Sequence, residues 1–189
     1  KSLLLDFVRN LMCENVPLHM ICYVFTLLNK VLRAWNVSIE KKNQDSEHQN
    51  GYEKNEWLWK NRTPRNDNRM LVVTMRDMYE YVFKQISNDD RVSDSDAIKV
   101  ILEYMRNLQF HRTTPLPCLF ELVAKILVRS KRHHTLYQYM QYHLHQDSAE
   151  IAQIAYDASH EYKPLRRLAM DIWSRLGYHG RTVRAHLES

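Results

Sequence analysis

Apolar positions crowd most densely between Pro117 and Asp147, PCLFELVAKILVRSKRHHTLYQYMQYHLHQD. The first half of this run carries only Glu121 and Lys125 as charges, among Cys118, Leu119, Phe120, Leu122, Val123, Ala124, Ile126, Leu127 and Val128. A helix of that composition has no broad face to offer water, so the pattern predicts a central helix buried nearly all round. Arg129, Lys131 and Arg132 follow at its C-terminal end, where cations complement the helix dipole. A second helix is expected to open near Thr135, with Leu136, Met140 and Leu144 at i, i+4 and i+8. The short link folds it back on the first as an antiparallel hairpin.

The same period runs through most of the chain. Residues 2–13 read as a helix with Leu4, Phe7, Val8, Leu11 and Met12 on one face. Pro17 opens another, to about Trp35, with the stripe Ile21, Val24, Phe25, Leu28, Leu32 and Trp35. Asn29, Lys30 and Arg33 interrupt it and leave too short an apolar run for the ~20 residues of a membrane span. Thr74 reads as the N-cap of a helix carrying Met75, Met78, Tyr79, Val82, Phe83 and Ile86. Asp94 or Ser95 is expected to cap the next, over 96–110, striped by Ala97, Ile101, Tyr104, Met105 and Leu108. Asp147-Ser148-Ala149-Glu150 has the form of a capping box before Ile151, Ile154, Ala155 and Ala158. Pro164 starts the clearest stripe, Leu165, Leu168, Ala169, Ile172, Trp173 and Leu176, which Gly177 ends; Arg181 to Leu187 begin a further helix.

These stripes predict an all-α chain of about eight helices. Three glycines and five prolines are too few punctuators for a sheet protein with many tight turns. Serial antiparallel helix pairs, each burying a face on the next, predict an α-solenoid. No strict sequence period is visible, and a compact bundle is the alternative.

Ser38 to Asn68 differ in kind. The stretch is polar and aperiodic, and it holds too little apolar surface to offset the entropy of ordering. It is expected to be a flexible insertion, 38–68, within a single helical domain over 1–189. Trp57-Leu58-Trp59 inside it reads either as an anchor packing back on the helices or as a docking peptide. A start at Lys1 and a helix-like end suggest a fragment of a longer protein.

Composition changes this picture little. At 44% hydrophobic and 26% charged residues, the chain fits neither a disordered nor a membrane-spanning class. The net charge of +5 could serve nucleic acid, anionic lipid or an acidic partner, but an excess this modest is also ordinary solvation of helix faces. Cys13, Cys22 and Cys118 lie in apolar contexts without ligand spacing and read as reduced core thiols of a cytosolic protein. Asp89, Asp90, Asp94 and Asp96 lack the glycine and distal glutamate of a calcium loop, and suit helix caps better.

Candidate chemistry is sparse. There is no glycine-rich phosphate loop, nucleophile elbow or HExxH. His143 and His145 would point about 200° apart on a helix, and His133 and His134 have no carboxylate or cysteine at ligand spacing. No enzymatic activity, metal or cofactor is expected. What remains is surface. Tyr137, Tyr139 and Tyr142 exceed what one stripe can bury, and with Arg129, Lys131 and Arg132 they make the residue types of a protein-binding hot spot. Lys163, Arg166 and Arg167, with Arg175, lie on the polar face of a later helix and suit an anionic membrane or acidic partner. Dipole complementation is the blander account of both clusters.

Gln138-Tyr139-Met140-Gln141-Tyr142-His143, followed by Asp147-Ser148, resembles the helix-and-turn signature of the Mic-one, or Bulli, family. Asp77-Met78-Tyr79 with Val82-Phe83, then Leu102 to Leu108, and LAMDIWSRL from Leu168 to Leu176 are similar in order and spacing, although Trp173 stands where a smaller aliphatic is expected. The resemblance covers roughly Leu71 to Leu176; the first seventy residues match less clearly, and the insertion does not match. It implies a β-propeller ahead of an α-solenoid. It also implies a third subunit of the Mon–Ccz guanine nucleotide exchange factor, which activates the late-endosomal Rab-seven GTPase. The role implied is a non-enzymatic scaffold and regulator of endosome-to-lysosome traffic and autophagy, cytoplasmic and peripheral on late endosome and lysosome membranes. Its partners would be the longin-type Mon and Ccz subunits, indirectly a Rab GTPase, and an anionic endosomal membrane. Nucleotide exchange would lie in the partners, and the family supplies no catalytic position to transfer. Another tethering or coat solenoid is the nearest alternative. A basic helical nucleic-acid-binding module is the alternative of a different class, although no nucleic acid is expected.

Overall fold

The apolar stripes become nine helices among the described residues of the computed structural model, which are 2–14, 16–47, 72–142 and 147–187. For 39–47 and 184–187 the backbone alone is described. In chain order they are α1 (Ser2–Cys13), α2 (Leu18–Glu47), α3, α4 (Asp94–Phe110), α5 (Pro117–Arg129), α6 (His133–Gln141), α7 (Ala149–Ala158), α8 (Pro164–Arg175) and α9 (His179–Leu187). Helix α3 is composite: an α-turn Met75–Met78, a π-helical segment Tyr79–Phe83 and a closing turn Lys84–Ile86. No strand occurs among the described residues, and the fold class is all-α. None of these helices is long and apolar enough to cross a membrane.

Side chains at the helix starts fix where the chain turns. Thr74 closes a capping box on α3: its Oγ1 accepts from the Asp77 amide at 3.2 Å, while the Asp77 carboxylate accepts from the Thr74 amide at 2.8 Å. Thr74→Ala removes one arm of that box, and a loss of about 1 kcal/mol is expected in the urea midpoint of the folded chain. Two caps sit differently from expectation. Ser93, not Asp94 or Ser95, caps α4, its hydroxyl accepting from the Asp96 amide at 3.1 Å. Ser148 caps α7 through the Ile151 amide at 3.1 Å, so the third helical position is Ile151, and Glu150 falls one residue short of a box. The Ser148 hydroxyl instead donates to Glu121 on α5, also at 3.1 Å. The acidic group around Asp89 is taken up in ion pairs: Asp89 with Arg91 and Asp96 with Lys99 close by, and Asp94 with Arg129 on α5.

Helix α2 is longer than its apolar stripe. Over 38–47 it continues into the stretch expected to be an insertion, where glutamate, lysine and glutamine, residue types of good helix propensity, recur in the sequence. Trp57-Leu58-Trp59, together with the rest of 48–71, lies outside the described residues, as does the His143 to His145 stretch.

Packing proceeds between near neighbours in sequence. α1 lies on α2 and α3, α2 on α4, α4 on α5, α5 on α6 and α7, and α6 and α7 both on α8, which carries α9. One core runs through this series. In its N-terminal half, Phe25, Phe83 and Tyr104 bring α2, α3 and α4 together, with ring centroids 5.0 Å apart for Phe25 and Tyr104 and 4.9 Å for Phe83 and Tyr104. Asn29, which broke the apolar run of α2, is buried: its Nδ2 donates to Asn107 Oδ1 at 2.8 Å, and Asn107 Nδ2 donates to Thr26 Oγ1 at 2.9 Å. A buried hydrogen-bonded clamp of this kind favours one register of the two helices. Further along, Ala152, Ala155 and Ala169 are fully buried, and their small side chains let α7 and α8 approach closely. The three cysteines are only half-buried rather than core, and burial is the main influence pushing each thiol above its ordinary pKa.

Candidate protein-interaction surface

α5 ends in a tight turn that leaves three residues before α6. The Lys131 amide donates to the Val128 carbonyl at 2.9 Å and the Arg132 amide to the Leu127 carbonyl at 2.8 Å, the bonding pattern of a Schellman motif. Lys131 takes the left-handed position, with φ 57°, that glycine usually fills. A side chain there costs about 1 kcal/mol, and here it sets an exposed lysine at the tip of the hairpin.

The cations around this turn are partly consumed within the chain. Arg129 is ion-paired with Asp94 at the start of α4, and Arg132 Nη1 reaches the Ser95 hydroxyl at 3.5 Å. His133 Nε2 lies 3.0 Å from Glu161. Lys131 makes no ion pair with the described residues. In the second cluster, Arg166 is half-buried over the Tyr156 ring at 5.6 Å, while Arg175 pairs with Asp147 at 2.7 Å and also with Asp171. Lys163 and Arg167 are exposed.

The three tyrosines do not form one patch, because positions i, i+2 and i+5 fan round a helix. Tyr137 turns to Tyr162, ring centroids 6.1 Å apart. Tyr139 is half-buried beside a void of about 20 Å³ lined by residues of α4, α5, α6 and α7, and that burial pushes its phenol pKa up. Tyr142, at the C-cap of α6, is 68% exposed.

Two residues absent from the sequence argument join the clusters. Tyr162 meets both Tyr137 and His134, and Glu161 holds His133. The turn after α7 therefore sits against the start of α6, and it carries Lys163 next in the chain. A lone Glu-Tyr pair before Lys163-Pro164 gives no signal of this in one sequence. No group of three His, Cys, Asp or Glu side chains converges to hold a metal among the described residues.

The described residues define a class: an all-α domain that sets tyrosine, lysine and arginine side chains around its inter-helix turns. The family is narrower. The chain belongs to the family "Regulator of MON1-CCZ1 complex, C-terminal", whose model matches residues 1–187. Relatives named "Regulator of MON1-CCZ1 complex" from Mus musculus and Homo sapiens are each 30% identical over 105 residues, 56% of this chain and 16% of theirs. A homologue of that regulator from Dictyostelium discoideum is 29% identical over 92 residues, 48% of this chain and 9% of its own length. The matched region is thus a small part of each relative.

Proposed function

We propose that this chain is part of a non-enzymatic scaffold and regulatory subunit of a MON1–CCZ1 complex. The family match across residues 1–187 carries the reading. In it, the chain is an α-solenoid, a form that the packing of each helix on its next or next-but-one neighbour supports. The exchange of nucleotide on a Rab-seven GTPase belongs to the partner subunits. The work is done in endosome-to-lysosome traffic and autophagy, peripherally at late endosome and lysosome membranes. The α5–α6 hairpin, with Lys131 exposed in its turn and Tyr142 exposed at the far end of α6, and with Tyr137, Tyr139, Arg129 and Arg132 along it, meets the longin-type partners. Lys163 and Arg167, with Arg166 behind them, face acidic lipid or an acidic partner surface.

The test is capture of the MON1–CCZ1 heterodimer by the intact protein and by its Tyr142→Ala/Lys131→Glu variant. Both side chains are exposed, so folding is retained. Binding at least about tenfold weaker in the variant is expected, equivalent to ~1.4 kcal/mol or more. Unchanged binding would move the contact away from this hairpin. No capture by the folded wild type would remove the scaffold reading.

A further inference from the structure

Helix α2 packs one face on α1 and α4, and its opposite face is exposed. Met20, Tyr23, Leu27, Ala34 and Val37 recur there at spacings of three and four, with Lys30 in the one intervening step. The large apolar members are between 41% and 66% exposed. Spacing of that kind is the seam of a helix-to-helix contact.

Toward its C-terminal half the stripe runs into a cleft of about 790 Å³ between α2 and the end of α4. Lys30, Arg33 and Arg112 bring three cations to its lining, and no carboxylate of the described residues lines it. None of the three is ion-paired with a described residue. Phe110, 78% exposed, and Val37 add an apolar ledge beside them. His111, only 5% exposed, also lines the cleft, and its buried Nε2 has no hydrogen-bond partner among the described residues. Burial, then the charges of Arg33 and Lys30, push that imidazole below its ordinary pKa.

We propose that the outer face of α2 and this cleft bind an amphipathic, acidic helix of a partner protein, its apolar stripe along Tyr23, Leu27 and Val37 and its carboxylates on Lys30, Arg33 and Arg112. The proposal deepens the scaffold reading and rests on it for the existence of a partner. A stripe from Met20 to Val37 extends about 25 Å, the length of a helix of some five turns. Arginine forks at one end of that stripe call for carboxylates, which they grip in pairs. A lipid surface fits less well, since the cations are gathered in the C-terminal half of the stripe rather than flanking its whole length. Nucleic acid leaves Met20, Tyr23 and Leu27 without a role.

The experiment uses the intact protein and two fluorescein-labelled helical peptides of about 20 residues. Both carry leucine at heptad a and d positions; one is otherwise glutamate-rich, the other lysine-rich. The glutamate peptide is expected to bind, and Lys30→Glu/Arg33→Glu or Leu27→Asp to weaken it at least about tenfold. Arg76→Glu/Lys125→Glu, the same change in net charge on other helices, is expected to leave it within about twofold. Equal effects of the two charge reversals, equal binding of the lysine peptide, or loss of binding to phosphatidylserine vesicles without loss of the peptide would overturn the proposal. Capture of MON1–CCZ1 is measured on the same variants. Capture that both Lys30→Glu/Arg33→Glu and Leu27→Asp leave intact, with the peptides indifferent, sinks this inference and leaves the scaffold reading standing. No capture by wild type, with the peptide pattern as expected, does the reverse.

Discussion

Tyr104→Ala is expected to lower the stability of the folded chain by about 3–5 kcal/mol. Tyr104 has no exposed surface, and its ring is the member of the Phe25, Phe83 and Tyr104 cluster that lies within 5.0 Å of both others. Removing it empties the point where α2, α3 and α4 meet, and three helices cannot all close on one gap without breaking the Asn29 to Asn107 clamp nearby. In a chain of this size such a loss lowers Tm by roughly 6–20 °C. Urea denaturation of the variant beside Tyr81→Ala checks it. Tyr81 is 60% exposed on the same helix as Phe83, so its truncation should change stability by no more than about 0.5 kcal/mol. Comparable losses for the two would mean that the cluster is not the organising contact.

Trp173 gives the second large effect, and it divides into two opposing parts. Its ring is 2% exposed, packed 5.2 Å from Tyr156 between α7 and α8, with Arg181 stacked over it at 5.9 Å. Trp173→Ala is expected to cost about 3–5 kcal/mol. The indole Nε1, however, is buried without a hydrogen-bond partner among the described residues. An unmet donor of that kind costs about 1–3 kcal/mol, which Trp173→Leu removes along with part of the packing. Trp173→Leu should therefore lose less than half of what Trp173→Ala loses, measured by thermal or urea unfolding. Equal losses would show that the indole N–H is satisfied in solution. The position is also where the family resemblance led one to expect a smaller aliphatic.

Much of the fold is legible from one sequence because helix stripes are local. Ile21, Phe25 and Leu32 are buried as their spacing predicts, as are Met78, Val82, Phe83 and Ile86 on α3. The phase of a stripe is less secure. On α1 the buried residues are Leu5, Val8 and Met12, and Phe7 is 54% exposed, because an amphipathic pattern does not say which of its edges meets a neighbour. Caps slipped by a residue where serine and aspartate alternate, as at Ser93-Asp94-Ser95-Asp96, since either type can accept from the first free amides. The candidate surface was the least legible part. Arg129, Arg132 and His133 looked like one free basic patch, yet they are held by Asp94, Ser95 and Glu161, which lie 28 to 37 residues away in the chain. Ion pairs at that separation follow from how helices stack, not from any local pattern.

The neighbour-to-neighbour stacking has one consequence for how the molecule carries its load. The face of α2 and the turn after α5 are linked through α4, which packs on α2 and whose first turn holds Arg129 through Asp94 and Arg132 through Ser95. Two bodies docked at these places would use different side chains but lean on the same helix, so any departure of their free energies from additivity would report on α4. One helix then acts as the crossbeam of the arrangement: a load placed on either side reaches α4 first.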